Sequence, residues 1–459
     1  MNDNMRLSRR QFIKSATIGM GTAALWPGVL GAAPGGRRPN IVLCMTDDQG
    51  WGDTSYNGHP LLKTPVLDEM AGRGMRFDRF YAAAPVCSPT RGSVLTGRHP
   101  NRFGCFTHGR PIRKEEVTIA QALKRTGYTT GHFGKWHLNG KRGPGKPIPA
   151  TDPLNPGAVG FDEWFSVSNF FDLNTSFSRN GETVATEGDG SDVIVEEALK
   201  FIGTAAKVNK PFMAVVWYGS PHNPHRALPA DRAPYAKKGK YGNYYGELAA
   251  VDRSMGRLRA GLRDLGIANN TLVWFCSDNG GAAGPLSTGK LRGSKGSLWE
   301  GGIRVPGLIE WPERIRNPFR TDVPCSTMDI YPTLVDLLGV EVPEQPLPID
   351  GISLVPLMDG RMRERAKPIP FWVYGRGGRS GDGHAALIDS HFKLHLHPYA
   401  RKKQGKLPDV LLYDLSKDAV EARDLAAAEP DKVQSMRRHL EEWQVSVKRS
   451  LAREDYGKS

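Results

Sequence analysis

From Pro39 to about Gly360 the chain alternates short, unbroken apolar runs with longer stretches in which apolar residues return every three or four positions. "PNIVLCMT", "PFMAVVWYGS" and "NTLVWFCSDNG" have the first pattern and predict strands buried on both faces, and "YTTGHFGKWHL" reads as a further strand. "LKTPVLDEMAGRG", "TIAQALKRTG", "DVIVEEALKFIGTAAK" and "YYGELAAVDRSMGRLRAGLRDLG" have the second and predict helices. In the last of these, Leu248, Val251, Met255, Leu258, Leu262 and Leu265 fall along one side. Strand runs alternating with amphipathic helices predict an α/β fold with a large, mostly parallel sheet sandwiched by helices. "KRGPGKPIPATDPLNPG" reads as a loop. After Gly360 the pattern changes to short strands, "IPFWVYG", "HAALID", "FKLHLHPY" and "VLLYDL", and then a charged helix from about Pro430 to Arg453. Residues 39–360 are therefore expected to form the main domain, and residues 361–459 a smaller unit of antiparallel sheet plus helix.

The first 33 residues follow neither pattern. Ser8-Arg9-Arg10-Gln11-Phe12-Ile13-Lys14 is a twin-arginine export signature, followed by a Gly/Ala-rich, weakly apolar stretch from Ala16 to Ala33. Pro27 and several glycines make that stretch a poor membrane-spanning helix. The expectation is a cleaved signal peptide, residues 1–33, that engages the twin-arginine translocase. The mature protein would then be periplasmic or secreted, with no stable membrane insertion.

Charge narrows the partners. Removing residues 1–33 takes away Arg6, Arg9, Arg10 and Lys14 against Asp3, leaving +11 of the formal +14. The basic residues are dispersed apart from "YAKKGKYG" and "ARKKQGK", and no zinc-finger or RNA-binding aromatic signature is present. Export and this dispersion argue against nucleic acid and for an acidic extracellular polymer. The five cysteines, Cys44, Cys87, Cys105, Cys276 and Cys325, are odd in number and widely spaced, so they do not form a disulfide framework. Cys44 and Cys276 lie inside apolar strands. Cys87 alone sits in a polar turn, "PVCSPTRGSVLTGR", opening a small-residue helix where Arg91 and Arg98 would gather negative charge. A nucleophile, a metal ligand and a residue awaiting modification are all compatible with that setting.

The predicted strands deliver polar residues at their carboxyl ends, where open α/β sheets bind ligands. The first ends in Asp47 and Asp48, the second carries Lys135 and His137, the third leads to His222 and His225, and the fourth ends in Asp278 and Asn279. Each alone has an ordinary reading as a cap, a turn or a solvated side chain. Together, Asp47, Asp48, Asp278 and Asn279 are hard oxygen donors suited to Ca²⁺ or Mg²⁺ rather than zinc.

This constellation resembles the type I, formylglycine-dependent sulfatases. Cys87-Ser88-Pro89-Thr90-Arg91 matches their C-x-P-x-R signature, extended to Arg98 as "LTGR". "PNIVLCMTDDQGWGD", "GYTTGHFGKWHL", "SDNGG" and "GSKGSLWEGGIRVP" match in family order, with a weaker match in "LLYDLSKDAVEARDLA". A Cys/Arg phosphatase loop would need its arginine where Ser93 stands. The resemblance implies an alkaline-phosphatase-like fold and a Cys87 oxidised to formylglycine by a separate maturation enzyme. It further implies that Asp47, Asp48, Asp278, Asn279 and the modified Cys87 hold one Ca²⁺, in preference to Mg²⁺. Arg91 and Lys135 would neutralise the hydrate and the sulfate, and His137 would act as base for collapse of the second hydroxyl. His222 would be the general acid for the leaving alcohol, with Lys295, a sulfate contact, as its rival.

"GFDEWFSVSN" is similar to the N-acetylgalactosamine-6-sulfatase branch and brings Ser168 and Asn169 forward as sulfate-pocket contacts. His108, Arg110, His225 and Arg226 are candidate contacts to the sugar or a neighbouring sulfate, against a solvated-loop reading. His391, His395 and His397 read as exposed strand positions rather than a metal cluster. The function expected is hydrolysis of a sulfate ester on a sulfated sugar or polysaccharide. A broad arylsulfatase, a phosphonate or phosphate-diester hydrolase on the same scaffold, and an unmatured polysaccharide-binding protein are the alternatives.

Overall fold

The computed structural model describes residues 37–283, 286–373, 383–398 and 407–456. The signal-peptide expectation and the basic run "ARKKQGK" lie outside these residues. Eleven strands form the main sheet. They are β1 (Asn40–Thr46), β2 (Met75–Tyr81), β3 (Thr129–Lys135), β4 (Glu163–Val167), β5 (Ser176–Arg179), β6 (Glu182–Ala185), β7 (Phe212–Trp217), β8 (Thr271–Ser277), β9 (Arg304–Glu310), β10 (Phe319–Thr321) and β11 (Cys325–Ser326). Their order is β10-β2-β9-β8-β1-β7-β3-β4-β5-β6, with β11 also on β2. β1 pairs in parallel with β7 and β8, and β3 in parallel with β7 and β4. The antiparallel pairs lie outside this centre, at β8–β9, β9–β2, β4–β5 and β5–β6.

The central strands β1, β7 and β8 are almost wholly apolar because both faces are covered. Ile41, Leu43 and Met45 pack with Met213, Val215 and Trp217 on one side. Val42 and Cys44 pack with Phe133, Ala214 and Val216 on the other, against the helices Gly190–Lys207 and Gly242–Asp264. This is the alternation a two-residue side-chain period imposes.

The second sheet is an antiparallel run of β12 (Ile369–Trp372), β13 (Ala385–Asp389), β14 (Phe392–Leu396) and β15 (Val410–Asp414). The helix Pro430–Leu451 lays Met436, Leu440 and Val447 on Leu394, Leu396 and Leu412. The opposite face of β14 is buried as well, which corrects one expectation. His391 and His397 are exposed, but His395 is fully buried, its Nε2 2.8 Å from Glu421 Oε1. Among the described residues no helix is long and apolar enough to cross a membrane.

Candidate active site

β8, β1, β7 and β3 are neighbours and parallel, so their carboxyl ends open on one crevice. Asp47 and Asp48 leave β1, Lys135 ends β3, His222 follows β7, and Asp278 and Asn279 leave β8. Asp48 has φ of 68°. This left-handed conformation breaks the strand's alternation, so two consecutive carboxylates serve the same side. Such strain costs on the order of 1–3 kcal/mol and is held by the surrounding contacts.

Cys87 is the first residue of the helix Cys87–Thr96, all of which is buried. Val86 before it is extended and contributes no side-chain cap. Thr90 fixes the turn by donating from Oγ1 to the Ala84 carbonyl at 3.0 Å. Ser88 Oγ donates to the His137 carbonyl and accepts from the Gly109 N–H, both at 2.7 Å, tying the turn to the end of β3. Cys87 Sγ lies 3.4 Å from Asp47 Oδ1 and 3.5 Å from Lys295 Nζ. Burial and the neighbouring Asp278 and Asp47 push its thiol well above the usual range, against the pull of Lys135 and Lys295. A cysteine here is a poor thiolate, because burial and two carboxylates outweigh the positive charge expected around this turn. Arg98 takes no part, because it lies past the other end of the helix, bonded to Glu116, Asp455 and Ser450.

The cations around Cys87 are committed to carboxylates. Arg91 Nη2 and Nε reach Asp278 Oδ2 at 2.8 and 3.1 Å, and its guanidinium lies over the Trp217 ring. Lys135 Nζ is 2.6 Å from Asp47 Oδ2, and Lys295 Nζ is 2.5 Å from Asp48 Oδ1. Burial alone would raise the Asp47 pKa, but Lys135, His222 and Arg91 hold it below the usual value. Burial and repulsion from Asp47 raise that of Asp278.

Ligand atoms of Asp47, Asp48, Cys87 and His222 lie within 4.8 Å of one another. Asp278 adjoins them through Oδ1, which accepts from the Asp48 N–H at 3.1 Å. Asn279 Nδ2 donates to Asp48 Oδ1 at 2.9 Å, while its Oδ1 is buried without a partner. An orphaned amide oxygen beside three buried carboxylates fits a hard divalent cation.

His137 has φ of 56° and its two ring nitrogens are buried without partners. Burial, Lys135 and Arg91 hold it far below the usual histidine pKa, so the ring is a neutral acceptor. His222 Nδ1 meets the Asn223 carbonyl at 2.5 Å, which leaves Nε2 3.8 Å from Asp48 Oδ2. Phe170 stacks on that ring at 4.4 Å, a support absent from the sequence reading. Ser168 and Asn169 hold the Pro/Gly-rich loop. Ser168 Oγ accepts from the Lys146 N–H at 2.9 Å, and Asn169 Nδ2 donates to the Gly143 carbonyl at 2.5 Å. His225 leans on Glu247 at 3.4 Å. Arg226, His108 and Arg110 are exposed or partly so, with Arg226 3.6 Å from Asp172.

The sulfatase family model matches residues 39–340. The chain belongs to the sulfatase family. A second model, the C-terminal part of N-sulphoglucosamine sulphohydrolase, matches residues 294–448. The chain is 33% identical to N-acetylgalactosamine-6-sulfatase of Canis lupus familiaris, over 80% of this chain and 73% of that one. It is 30% identical to Arylsulfatase A of Homo sapiens, over 87% of each. The solved structure of Ps i-CgsB in complex with k-i-k-neocarrahexaose superposes with a TM-score of 0.77 at 29% identity, covering 88% of this chain and 92% of that one. The fold is alkaline-phosphatase-like, and this sulfatase hydrolyses sulfate esters.

Proposed function

We propose that the sulfatase hydrolyses a sulfate ester on a sugar or polysaccharide, acting through Cys87 after a separate maturation enzyme has oxidised it to formylglycine. The observation that carries this reading is the setting of Cys87. Its thiol cannot ionise readily, yet its β-carbon stands among Asp47, Lys295 and the first turn of a helix. The hydrated aldehyde would place two hydroxyls there. One, ionised by releasing its proton to water before substrate binds, attacks sulfur as an oxyanion. The S–O bond to the sugar breaks with its electron pair on the sugar oxygen, and the alcohol leaves with a proton from His222. The other hydroxyl gives its proton to His137, the bond from residue 87 to sulfate breaks with its electron pair on sulfate, and the aldehyde re-forms and takes up water. Arg91 and Lys135 balance charge inside a water-excluded crevice, and Lys295 contacts the sulfate. Asp47, Asp48, Asp278 and Asn279 would hold calcium, which polarises the sulfate and lowers the pKa of a hydroxyl beside it.

The sugar assignment draws on the N-acetylgalactosamine-6-sulfatase relatives and on the oligosaccharide in the Ps i-CgsB complex, and on the basic charge of the chain. Matured enzyme should cleave sulfated sugars and aryl sulfates in preference to the corresponding phosphate and phosphonate esters. The reverse preference would assign it to the other hydrolase class. His222→Ala should reduce turnover of sugar sulfates by about 10²–10⁴-fold, the usual worth of general acid help. An activated aryl sulfate, whose phenolate leaves unaided, should lose far less. Equal losses on both would move the acid role to Lys295.

Residues 1–33 are proposed to carry the protein out by the twin-arginine translocase. Replacing Arg9 and Arg10 by Lys should retain it inside the cell, and undiminished export of that variant would refute the route.

A further inference from the structure

The segment 292–300 carries Lys295 into the crevice and is held at both ends by one residue distant in sequence. At its start, Arg292 Nη1 donates to the Glu421 carbonyl at 2.9 Å, with the guanidinium 3.6 Å from the centre of the Trp299 ring. At its end, the Glu300 N–H donates to Glu421 Oε2 at 2.7 Å. The other carboxylate oxygen of Glu421 accepts from His395 Nε2 at 2.8 Å and faces Lys393 Nζ at 3.0 Å. Lys393 also reaches Glu300 Oε1 at 2.9 Å, and Tyr81 donates to Glu300 Oε2 at 3.0 Å. The His395 ring lies 4.4 Å from that of Trp299. Between the ends, the Gly301 N–H returns to the Arg292 carbonyl at 2.7 Å, and the Lys295 N–H donates to the Gly281 carbonyl at 3.0 Å.

Glu421 has no exposed surface and sits in the left-handed region, with φ of 57°. Outside glycine that conformation is uncommon, and here it accompanies a residue whose backbone carbonyl and side chain serve opposite ends of one loop. Its neighbours are ordered in a directed chain. Burial, first, and Lys393 keep His395 neutral. With its Nε2 proton donated to Glu421, His395 presents Nδ1 to His384 Nε2 at 2.8 Å. A carboxylate at 421 is therefore required by two donors and a buried lysine at once. None of these groups touches the reacting atoms.

We propose that Glu421 is a positioning residue for the reaction, setting the place of the Lys295 ammonium by clamping both ends of the segment that carries it. The proposal rests on the sulfate-contacting role given to Lys295 above. Misplacing a catalytic group by about 1 Å costs about 10²-fold, so Glu421→Ala should lower kcat/KM by a factor of that order. Glu421→Gln keeps an acceptor for the Glu300 N–H and should lose less.

A purely structural role predicts a similar ranking, so the deciding experiment is a double-mutant cycle. Glu421→Ala, Lys295→Ala and the double variant are compared, after maturation, by kcat/KM on an aryl sulfate and by competitive inhibition with inorganic sulfate. In the Lys295→Ala background, Glu421→Ala should cost less than about twofold, because nothing remains to position. Sulfate inhibition should weaken in both single variants and no further in the double. Losses that multiply, or sulfate inhibition unchanged by Glu421→Ala, would overturn the proposal while leaving the role of Lys295 intact. Full activity and sulfate inhibition in Lys295→Ala would overturn that role and the proposal with it. Glu421→Ala keeps the carbonyl that Arg292 bonds and so releases the Glu300 end. Should it fail to fold, Arg292→Met, which releases the other end, takes its place in the same cycle with the same outcomes.

Discussion

Cys87→Ala is expected to give a folded protein with no detectable sulfatase turnover. Cys87 is buried at the head of a helix whose turn is fixed by Thr90 and Ser88, not by the thiol. Losing one small side chain should cost about 1 kcal/mol, within the ordinary range for a point change. Catalysis, by contrast, loses both hydroxyls of the proposed mechanism. Circular dichroism and thermal unfolding check the first half, and turnover of an activated aryl sulfate checks the second. Residual turnover near the wild-type rate would remove Cys87 from the chemistry.

Asp278→Ala should be the most damaging change for the crevice as a whole. Asp278 accepts from Arg91 Nε and Nη2, and among the described residues the only other hydrogen-bond partner of that guanidinium is the Lys135 carbonyl, 3.3 Å from Nη1. The next carboxylate, Asp47 Oδ1, is 3.9 Å from that arginine. Arg91 is fully buried, so the variant leaves a poorly matched cation with no access to water. Breaking a buried pair from one side costs about 3–5 kcal/mol. The same change removes the acceptor of the Asp48 N–H and one carboxylate of the proposed calcium set. Turnover should collapse and recover in part with excess calcium, and wild type should lose turnover in a chelator. A variant with unaltered stability and turnover, or a chelated wild type at full rate, would contradict the assignment.

The parts of the fold that place the site were legible because burial on both faces leaves a strong signature. β1, β7 and β8 are fully buried and read as nearly continuous apolar runs. β3 is almost as buried, but its sequence TTGHFGK carries Phe133 as its one large apolar residue, and it was read as a strand from its place between helices. β2 was not legible, since Arg76, Asp78 and Arg79 interrupt it, nor was β9, which contains Pro306 and Gly307. Both pair antiparallel at the side of the sheet, where pattern alone says little. Strand ends predicted which residues would meet, but not their pairing. That Lys135 takes Asp47 depends on the order of strands in the sheet, and that Lys295 takes Asp48 on the path of the connection between β8 and β9. Arg98 misled because proximity along a helix is not proximity in space. The 10-residue helix puts it about 15 Å from Cys87. His395 misled in the other direction, since alternation along β14 cannot reveal that its second face is covered by Trp299 and Glu421.

The central claim is that residue 87 of the working enzyme is an aldehyde rather than a thiol. Mass spectrometry of the peptide spanning residues 82–98, taken from purified protein of measured aryl sulfatase activity, tests it directly. The predicted result is a peptide lighter by the difference between a thiol-bearing methylene and an aldehyde, in a fraction that rises in proportion to specific activity across preparations. Full activity in a preparation whose residue 87 is entirely unmodified cysteine would contradict the account.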